Sequence, residues 1–458
     1  MVLATMRGAP VSANDPAPAP TPQTGPTAAA GPAVPRRLTL AEATDRLIAN
    51  NLAAVAARYN VDIMRAQRIA AGLRPGPSLT VSATQFAVPS LFHHPRFFIE
   101  TDPVSAANTT YTIEVDQLIE RGGKRELRAQ QAELNTQVAE AQVRDVLRQQ
   151  IFQLRQAFLG AVLARENLRV AQDNLGHFDQ TERILRTQVN EGYTAGVDLK
   201  RLALQQLEVQ REVAAAEQSY QQAARDVLNL IGEGSVPSSA SSQFINTSDA
   251  PGSAPALDSD LDIIDGNLDV VPTLLWVDDL RKMAIANRPD IKAAEIALQA
   301  AQTGLALARA QRARDITIGG QYARTGSDNT VGVMASVPLA VGRRADAAIA
   351  QAVAAQAQAE AQLRQVRAQA LTDVEKAFTA YRASRDRLRL FTSGALRAAS
   401  DVRRIEEIAY RDGAKGLLDF LDAQRAYNQT LLDYNQARYD FLLSLYQIEC
   451  ATGTTVVK

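Results

Sequence analysis

Two short stretches of the chain resemble each other: NEGYTAGVDLKRL at residues 190–202 and RDGAKGLLDFLDA at residues 411–423. Each sets an acid before a glycine and an aspartate six places after it: Glu191, Gly192 and Asp198, then Asp412, Gly413 and Asp419. Each also interrupts a very long run of helix-forming residues. No proline occurs between Pro103 and Pro237, and none after Pro338. The spacing predicts helices over residues 124–190 and 197–231 around the first turn, and over 343–411 and 417–451 around the second.

Within the first long run, Leu147, Leu154, Ala161, Leu168 and Leu175 recur at sevens, with a second seam at Ala171, Phe178 and Leu185. A seven-residue apolar repeat drifts against the 3.6-residue turn and imposes a left-handed supercoil. Residues 124–190 would span ~100 Å as one helix at 1.5 Å per residue. A globular core has no use for such a length, whereas a coiled-coil rod or tube does.

Between the helices lie segments of two-residue alternation. SLTVSATQF (78–86), TYTIEVDQL (110–118), DITIGGQYA (315–323) and TVGVMASVPL (330–339) each set apolar residues against polar ones. About nine residues with one apolar face suits a membrane barrel strand, and equally a half-buried sheet of an ordinary domain.

The two halves align throughout. Ala49, Asn50 and Asn51 answer Ala286, Asn287 and Arg288, and Leu79 answers Ile316, all at an offset of 237. Gly123, Lys124 and Arg125 answer Gly342, Arg343 and Arg344 at 219, the drop reflecting a longer first strand loop. Each unit reads helix, strand, strand, very long helix, turn, long helix, which is the pattern of a duplication. The expected organisation is a disordered Ala/Pro-rich segment at 1–37, a first repeat at 38–232, a Ser/Asp/Gly/Pro-rich linker at 233–271, a second repeat at 272–453 and a tail at 454–458. Trp276 is expected to anchor the linker's end against a helix.

Composition narrows the function. The 458 residues carry 49 Lys+Arg against 50 Asp+Glu, a balance that argues against a nucleic-acid surface. Hydrophobic residues make up 46% but aromatics 5%, as in long helices packed side by side. A single cysteine, Cys450, rules out an internal disulfide framework and reads as a buried apolar residue of the last helix. No run of about 18 apolar residues marks a transmembrane helix. Residues 1–37 lack the apolar core of a signal peptide, so an exported form would need its signal upstream of this numbering.

Candidate chemistry is sparse. His93 and His94 are neighbours in a strand loop and His177 stands alone on a helix, so no metal site is indicated. Gly122-Gly123-Lys124-Arg125 fails the phosphate-loop pattern, which needs a glycine where Leu118 stands and a Ser or Thr where Arg125 stands. It reads as a strand-to-helix turn. The linker's six aspartates lack the register of a calcium loop and read as solvated. No nucleophile elbow or His-Glu-x-x-His occurs, so nothing supports an enzyme or a cofactor. Asp419 and Asp422 share one face of a helix's opening turn; they fit either helix capping or, in a symmetric trimer, a ring of six carboxylates.

The duplication, LTLAEATDRLIANN at 38–51, IERGGKR at 119–125, the two Gly-to-Asp turns and YNQARYDFLLSLYQIECATG at 434–453 together resemble the TolC-like outer-membrane factor family. The junction and spacing are most similar to its cobalt–zinc–cadmium resistance branch. The resemblance implies an α+β membrane protein, mainly α: a homotrimeric duct whose twelve-stranded outer-membrane β-barrel takes four strands from each chain and continues into a long periplasmic α-helical barrel. It implies passive efflux through a tripartite system, with a periplasmic adaptor and an inner-membrane pump of the RND or ABC type as partners, alongside outer-membrane lipid. The turns become periplasmic tips contacting the adaptor through Gly192, Gly196, Val197, Gly413, Gly416, Leu417 and Leu418. Asp419 and Asp422 match the family's paired gate aspartates. In the first hairpin Asp198 matches, but Arg201 replaces the second acid and is expected to pair with an aspartate across the tip. The alternative is a soluble periplasmic coiled-coil adaptor or scaffold, which would need only one hairpin.

Overall fold

The computed structural model describes residues 37–84, 110–192, 195–233, 264–269, 275–339 and 344–455. Its elements follow the expected order. Helices α1 (Leu40–Asn50) and α2 (Leu52–Gly72) lead into strands β1 (Ser78–Thr84) and β2 (Thr110–Ile119), then into α3 (Lys124–Asn190) and α4 (Gly196–Leu230). The second half runs α5 (Val277–Asn287), α6 (Pro289–Ala310), β3 (Ile316–Thr325), β4 (Asp328–Ser336), α7 (Arg344–Leu390), α8 (Leu396–Arg411) and α9 (Leu417–Thr452).

The strands form one antiparallel sheet in the order β1-β2-β3-β4. Register aligns Val81 with Ile113, Ile113 with Tyr322 and Tyr322 with Val331, so the apolar residues of all four strands share one face. Val331 and Val333 on β4 are 83% and 91% exposed, and no described residue covers that face or the outer edges of β1 and β4. Thr80, Glu114, Gln321 and Gly332 run across the opposite, polar face. Among the described residues no helix is long and apolar enough to cross a membrane.

Strand passes to helix at Gly122 and Gly123, whose φ angles of 78° and 69° turn the chain onto the axis of α3. A Cβ on Gly122 would lie 2.7 Å from Ala313 Cβ, so the crossing admits only glycine. Lys124 donates to Asp315 of the second half at 2.9 Å, and Asp315 also accepts from the Arg121 N–H. The GGKR stretch is the strand-to-helix turn its sequence indicated.

The long helices form a wall one helix thick. At the sheet end α2 packs on α3, α3 on α6, and α6 on α7; at the far end α8 packs on α9, α9 on α3, and α3 on α4. The seam residues Leu154, Ala161, Phe178 and Leu185 are buried along α3, as the sevenfold repeat required. Between the two ends, Leu38, Ala43 and Leu47 join Leu154, Phe158, Val162, Val227 and Ile231 in a girdle around α3.

Four expectations need correction. The helix foreseen over 343–411 is broken by a π-helical turn at Phe391–Ala395, where Gly394 has φ 135°. Within the linker, Ile264 and Leu268 are buried in the girdle, because Arg165 donates to the Ile264 and Gly266 carbonyls and holds that segment against α3. Trp276 is not held against a helix among the described residues: it is 75% exposed at the start of α5. Cys450 is half-buried rather than buried; Arg148 reaches its sulfur at 3.2 Å, and burial pushes the thiol pKa up. The segment 1–36, the loop holding His93 and His94, and linker aspartates 249, 258, 260 and 262 lie outside the described residues.

Candidate functional site

The two Gly-to-Asp turns come together at the end of the wall opposite the sheet. Gly192 and Gly413 take left-handed φ angles of 82° and 72° and close their respective hairpins. Leu202 and Val209 of α4 pack with Phe178 and Leu185 of α3, and Leu417, Phe420 and Leu421 of α9 complete that core. One apolar cluster therefore joins both tips. Burying each such Leu or Phe contributes roughly 1.5–3 kcal/mol, which suffices to hold the tips together but not to fuse them.

The acids sit on the other side of α9. Spacing puts Leu417, Phe420 and Leu421 inward and leaves Asp419 and Asp422 exposed. Asp419 accepts the Gly416 N–H at 3.3 Å, so it caps its own helix. Asp422 pairs with Arg425 one turn on at 3.1 Å. Neither bond removes the carboxylate from water, so capping and an exposed acidic face coexist here.

In the first tip, Arg201 reaches Asp198 of its own helix at 3.4 Å. Both residues line a cavity of about 450 Å³ with Leu204, Gln205 and Glu208 of α4 and with Gly416, Leu417, Leu418 and Leu421 of the second tip. The first tip thus faces the second across a space with charged residues on one wall and leucines on the other. Of the contact residues foreseen, Val197 and Leu418 are exposed, and Gly192, Gly196, Gly413 and Gly416 are on the surface. Leu417 is 8% exposed, with its side chain in the tip core and its edge on the cavity between the tips.

Sequence reasoning missed the aromatic pair that seats α8. The Tyr410 ring stacks on Phe420 with centroids 5.6 Å apart and planes 8° from parallel. Burial, and then the nearby Asp198 charge, raise the Tyr410 pKa. The signal was present, since Tyr410 precedes the turn by three residues and Phe420 follows it by seven relative to Gly413. His177 lines a neighbouring cavity with Gln180, Thr181, Arg403 and Glu407; among the described residues no group of three or more His, Cys, Asp or Glu could hold a metal.

A wall of long helices capped at one end by an antiparallel sheet, with paired helical tips at the other, is the plan of an outer-membrane channel subunit. The chain belongs to the outer membrane efflux protein family, whose sequence profile matches residues 43–233 and 280–454. It is 23% identical over 327 residues to the cobalt-zinc-cadmium resistance protein CzcC of Cupriavidus metallidurans, covering 71% of this chain and 72% of that one. Its fold matches the Campylobacter jejuni CmeC outer membrane channel with TM-score 0.69 at 14% identity, over 92% of this chain and 87% of that one. The open state of the Neisseria gonorrhoeae MtrE outer membrane channel matches with TM-score 0.68 at 19% identity, over 91% and 89%. Family and branch are those the residues resembled, and the single-hairpin adaptor reading is set aside.

Proposed function

We propose that the chain is one third of a homotrimeric exit duct, through which an inner-membrane pump of the RND or ABC type expels substrate by way of a periplasmic adaptor. The observation that carries this reading is the set of open edges. The wall ends at α2 on one side and α7 on the other near the sheet, and at α4 and α8 near the tips. Leu52, Tyr59 and Ile69 stand exposed on α2, Leu204 and Leu207 on α4, and Val402, Ile405 and Ile408 on α8. Unlike edges that must be covered produce head-to-tail contacts, which form a ring where the rotation between copies closes. Three copies of the four-stranded sheet would give a twelve-stranded barrel without edges, its apolar face toward lipid. The two repeats, at 38–232 and 272–453, are read as a duplication, with 233–271 connecting them. The duct carries no reaction; it supplies a water-filled path from the periplasm through the outer membrane.

At the tip, Asp419 and Asp422 would form a ring of six carboxylates that attracts cations and repels anions. Val197 and Leu418, with the tip glycines, are the adaptor's contacts. The resemblance to a cobalt-zinc-cadmium resistance protein favours heavy-metal cations as cargo. In planar bilayers, Asp419→Ala with Asp422→Ala should raise the resting conductance, weaken cation preference and abolish block by multivalent cations. Currents with wild-type selectivity would remove the acids from the gate. Recovery of the chain as a monomer outside the outer-membrane fraction would overturn the duct itself.

A further inference from the structure

Trp276 and Met283 form a bare apolar stripe on α5, while the matching residues of α1 are covered. At the offset of 237, Leu38, Thr39 and Arg46 answer Leu275, Trp276 and Met283. Around α1, chain that follows the first repeat lies over both levels. Arg46 donates to Glu233 at 2.8 Å. Further on, Ile264 pairs with Leu38 in a parallel bridge, and the Asp265 N–H donates to the Leu38 carbonyl. Arg165 of α3 and Arg438 of α9 hold that covering segment through its Ile264, Gly266 and Leu268 carbonyls. Leu38 and Ile264 are buried as a result. Around α5, Trp276 is 75% and Met283 42% exposed. Leu275 and Val277 beside them pack into the core that α5 shares with α7 and α9, so the helix itself is seated. Seven residues apart, Trp276 and Met283 lie on one line along its surface.

The two repeats also end alike. Gly232 and Gly453, at φ 82° and 72°, each pass over the elbow of their own half. A Cβ would lie 2.9 Å from the Asn50 carbonyl oxygen in one case and 3.3 Å from that of Asn287 in the other. Both hairpins therefore release the chain at the same place, and Thr454 follows Gly453 as Glu233 follows Gly232. Since Glu233 lies opposite Arg46, Thr454 comes level with Met283. The sequence continues Thr455, Val456, Val457, Lys458, of which residues 456–458 lie outside the described structure. From Met283 to Trp276 helix α5 covers ~10 Å at 1.5 Å per residue. Three extended residues reach ~10 Å at 3.3 Å each, which brings Val457 to Trp276.

The chemistry changes in step with the surface. Where the first half sets a glutamate against an arginine, the second brings two valines to a methionine and a tryptophan. Threonine and valine favour the extended backbone that such a path needs. Lys458 arrives at the first turn of α5, where Asp278 and Asp279 are exposed.

We propose that residues 454–458 dock along α5 of their own chain as a clasp, with Val456 and Val457 on Met283 and Trp276 and with Lys458 beside the two aspartates. The clasp covers α5 as residues 233 and 264–265 cover α1, and it holds whatever the duct carries.

Trp276 is the chain's one tryptophan, so its fluorescence reports the clasp directly. In the detergent-solubilised oligomer, deletion of residues 456–458 should shift the Trp276 emission to the red and steepen its quenching by acrylamide. Val456→Asp with Val457→Asp should do the same at unchanged chain length. Lys458→Glu sets like charges together and should give a smaller shift in the same direction; no shift there takes the aspartates out of the clasp. Emission and quenching equal to the parent's in the deletion and the double variant overturn the clasp, whether Trp276 is open in all three or covered by something else. A second measurement is covalent. In a Cys450→Ser background, Trp276→Cys with Val457→Cys should lose both free thiols on mild oxidation, with no dimer band on a non-reducing gel. Thiols that stay free overturn the docking, and a dimer band overturns its same-chain form by giving the stripe to the tail of a second copy.

Discussion

The elbow between α1 and α2 and the one between α5 and α6 have the same shape and opposite chemistry. Asn51 and Arg288 occupy them with nearly identical backbones, φ −60° and ψ 123° against φ −63° and ψ 125°. Each also donates to a carbonyl at the end of its hairpin: Asn51 to Leu230 at 3.0 Å, Arg288 to Ala451 at 3.3 Å. The amide of Asn51 then caps α2 through the Ala54 N–H at 3.1 Å. Arg288 instead pairs with Asp290 at 2.7 Å and Asp373 at 2.9 Å while only 4% exposed. Burial opposes the charge on Arg288, but its two carboxylates outweigh that and raise its pKa. The same fold position is thus held by neutral hydrogen bonds in one half and by a buried ion triad in the other. The comparison teaches that the halves share a backbone plan but not a mode of failure.

The largest expected effect follows from that difference. Arg288→Ala strands Asp290 and Asp373 near a buried charge hole and should cost about 3–5 kcal/mol. Asn51→Ala removes a cap and one further hydrogen bond and should cost about 1–2 kcal/mol. Thermal melting of the detergent-solubilised oligomer should show the larger downward shift for Arg288→Ala, and equal shifts would break the comparison. Next comes the first tip. Arg201→Ala frees Asp198 and any aspartate across the tip, so resting conductance should rise, by less than loss of the acid pair produces. An unchanged resting conductance would sink a gating part for Arg201. Smallest is Tyr410→Phe, which deletes a buried hydroxyl that has no partner among the described residues. It should be neutral or stabilising by up to about 1 kcal/mol, with conductance unchanged or lower. A clear loss of stability would mean that the hydroxyl finds a partner in the assembled ring.

What could be read in the sequence, and what could not, follows from the range of the forces involved. The strands, the GGKR turn and the two tips were legible because each rests on local chemistry: two-residue alternation, left-handed glycines and an acid in a helix's first turn. The break at Gly394 was not, because FTSGA lies in a proline-free run whose neighbours all favour helix, and a lone glycine there reads as a tolerated cost. Ile264 and Leu268 were hidden by the Ser- and Asp-rich composition around them, and only Arg165 and Arg438, remote in sequence, bring them into the girdle. At the tips, spacing gave the acids but not their partners. Arg201 turned to Asp198 on its own helix because a three-residue spacing puts both on one face. Leu417, named with the adaptor contacts through the resemblance, is the first residue of an inward stripe with Phe420 and Leu421.

Among the described residues, a wall one helix thick has no second layer to hide its edges, and the sheet has no partner for its outer strands. In the proposed trimer, finishing the fold and finding its neighbours would be the same event. Stability of such a trimer would be a property of concentration: dilution would act on it as a denaturant does, and a lone copy would be an aggregation hazard. The exposed valines of β4 and the leucines of α4 thus make two demands at once. On the proposed reading they would be covered in a closed ring once assembled, and would need shielding before that.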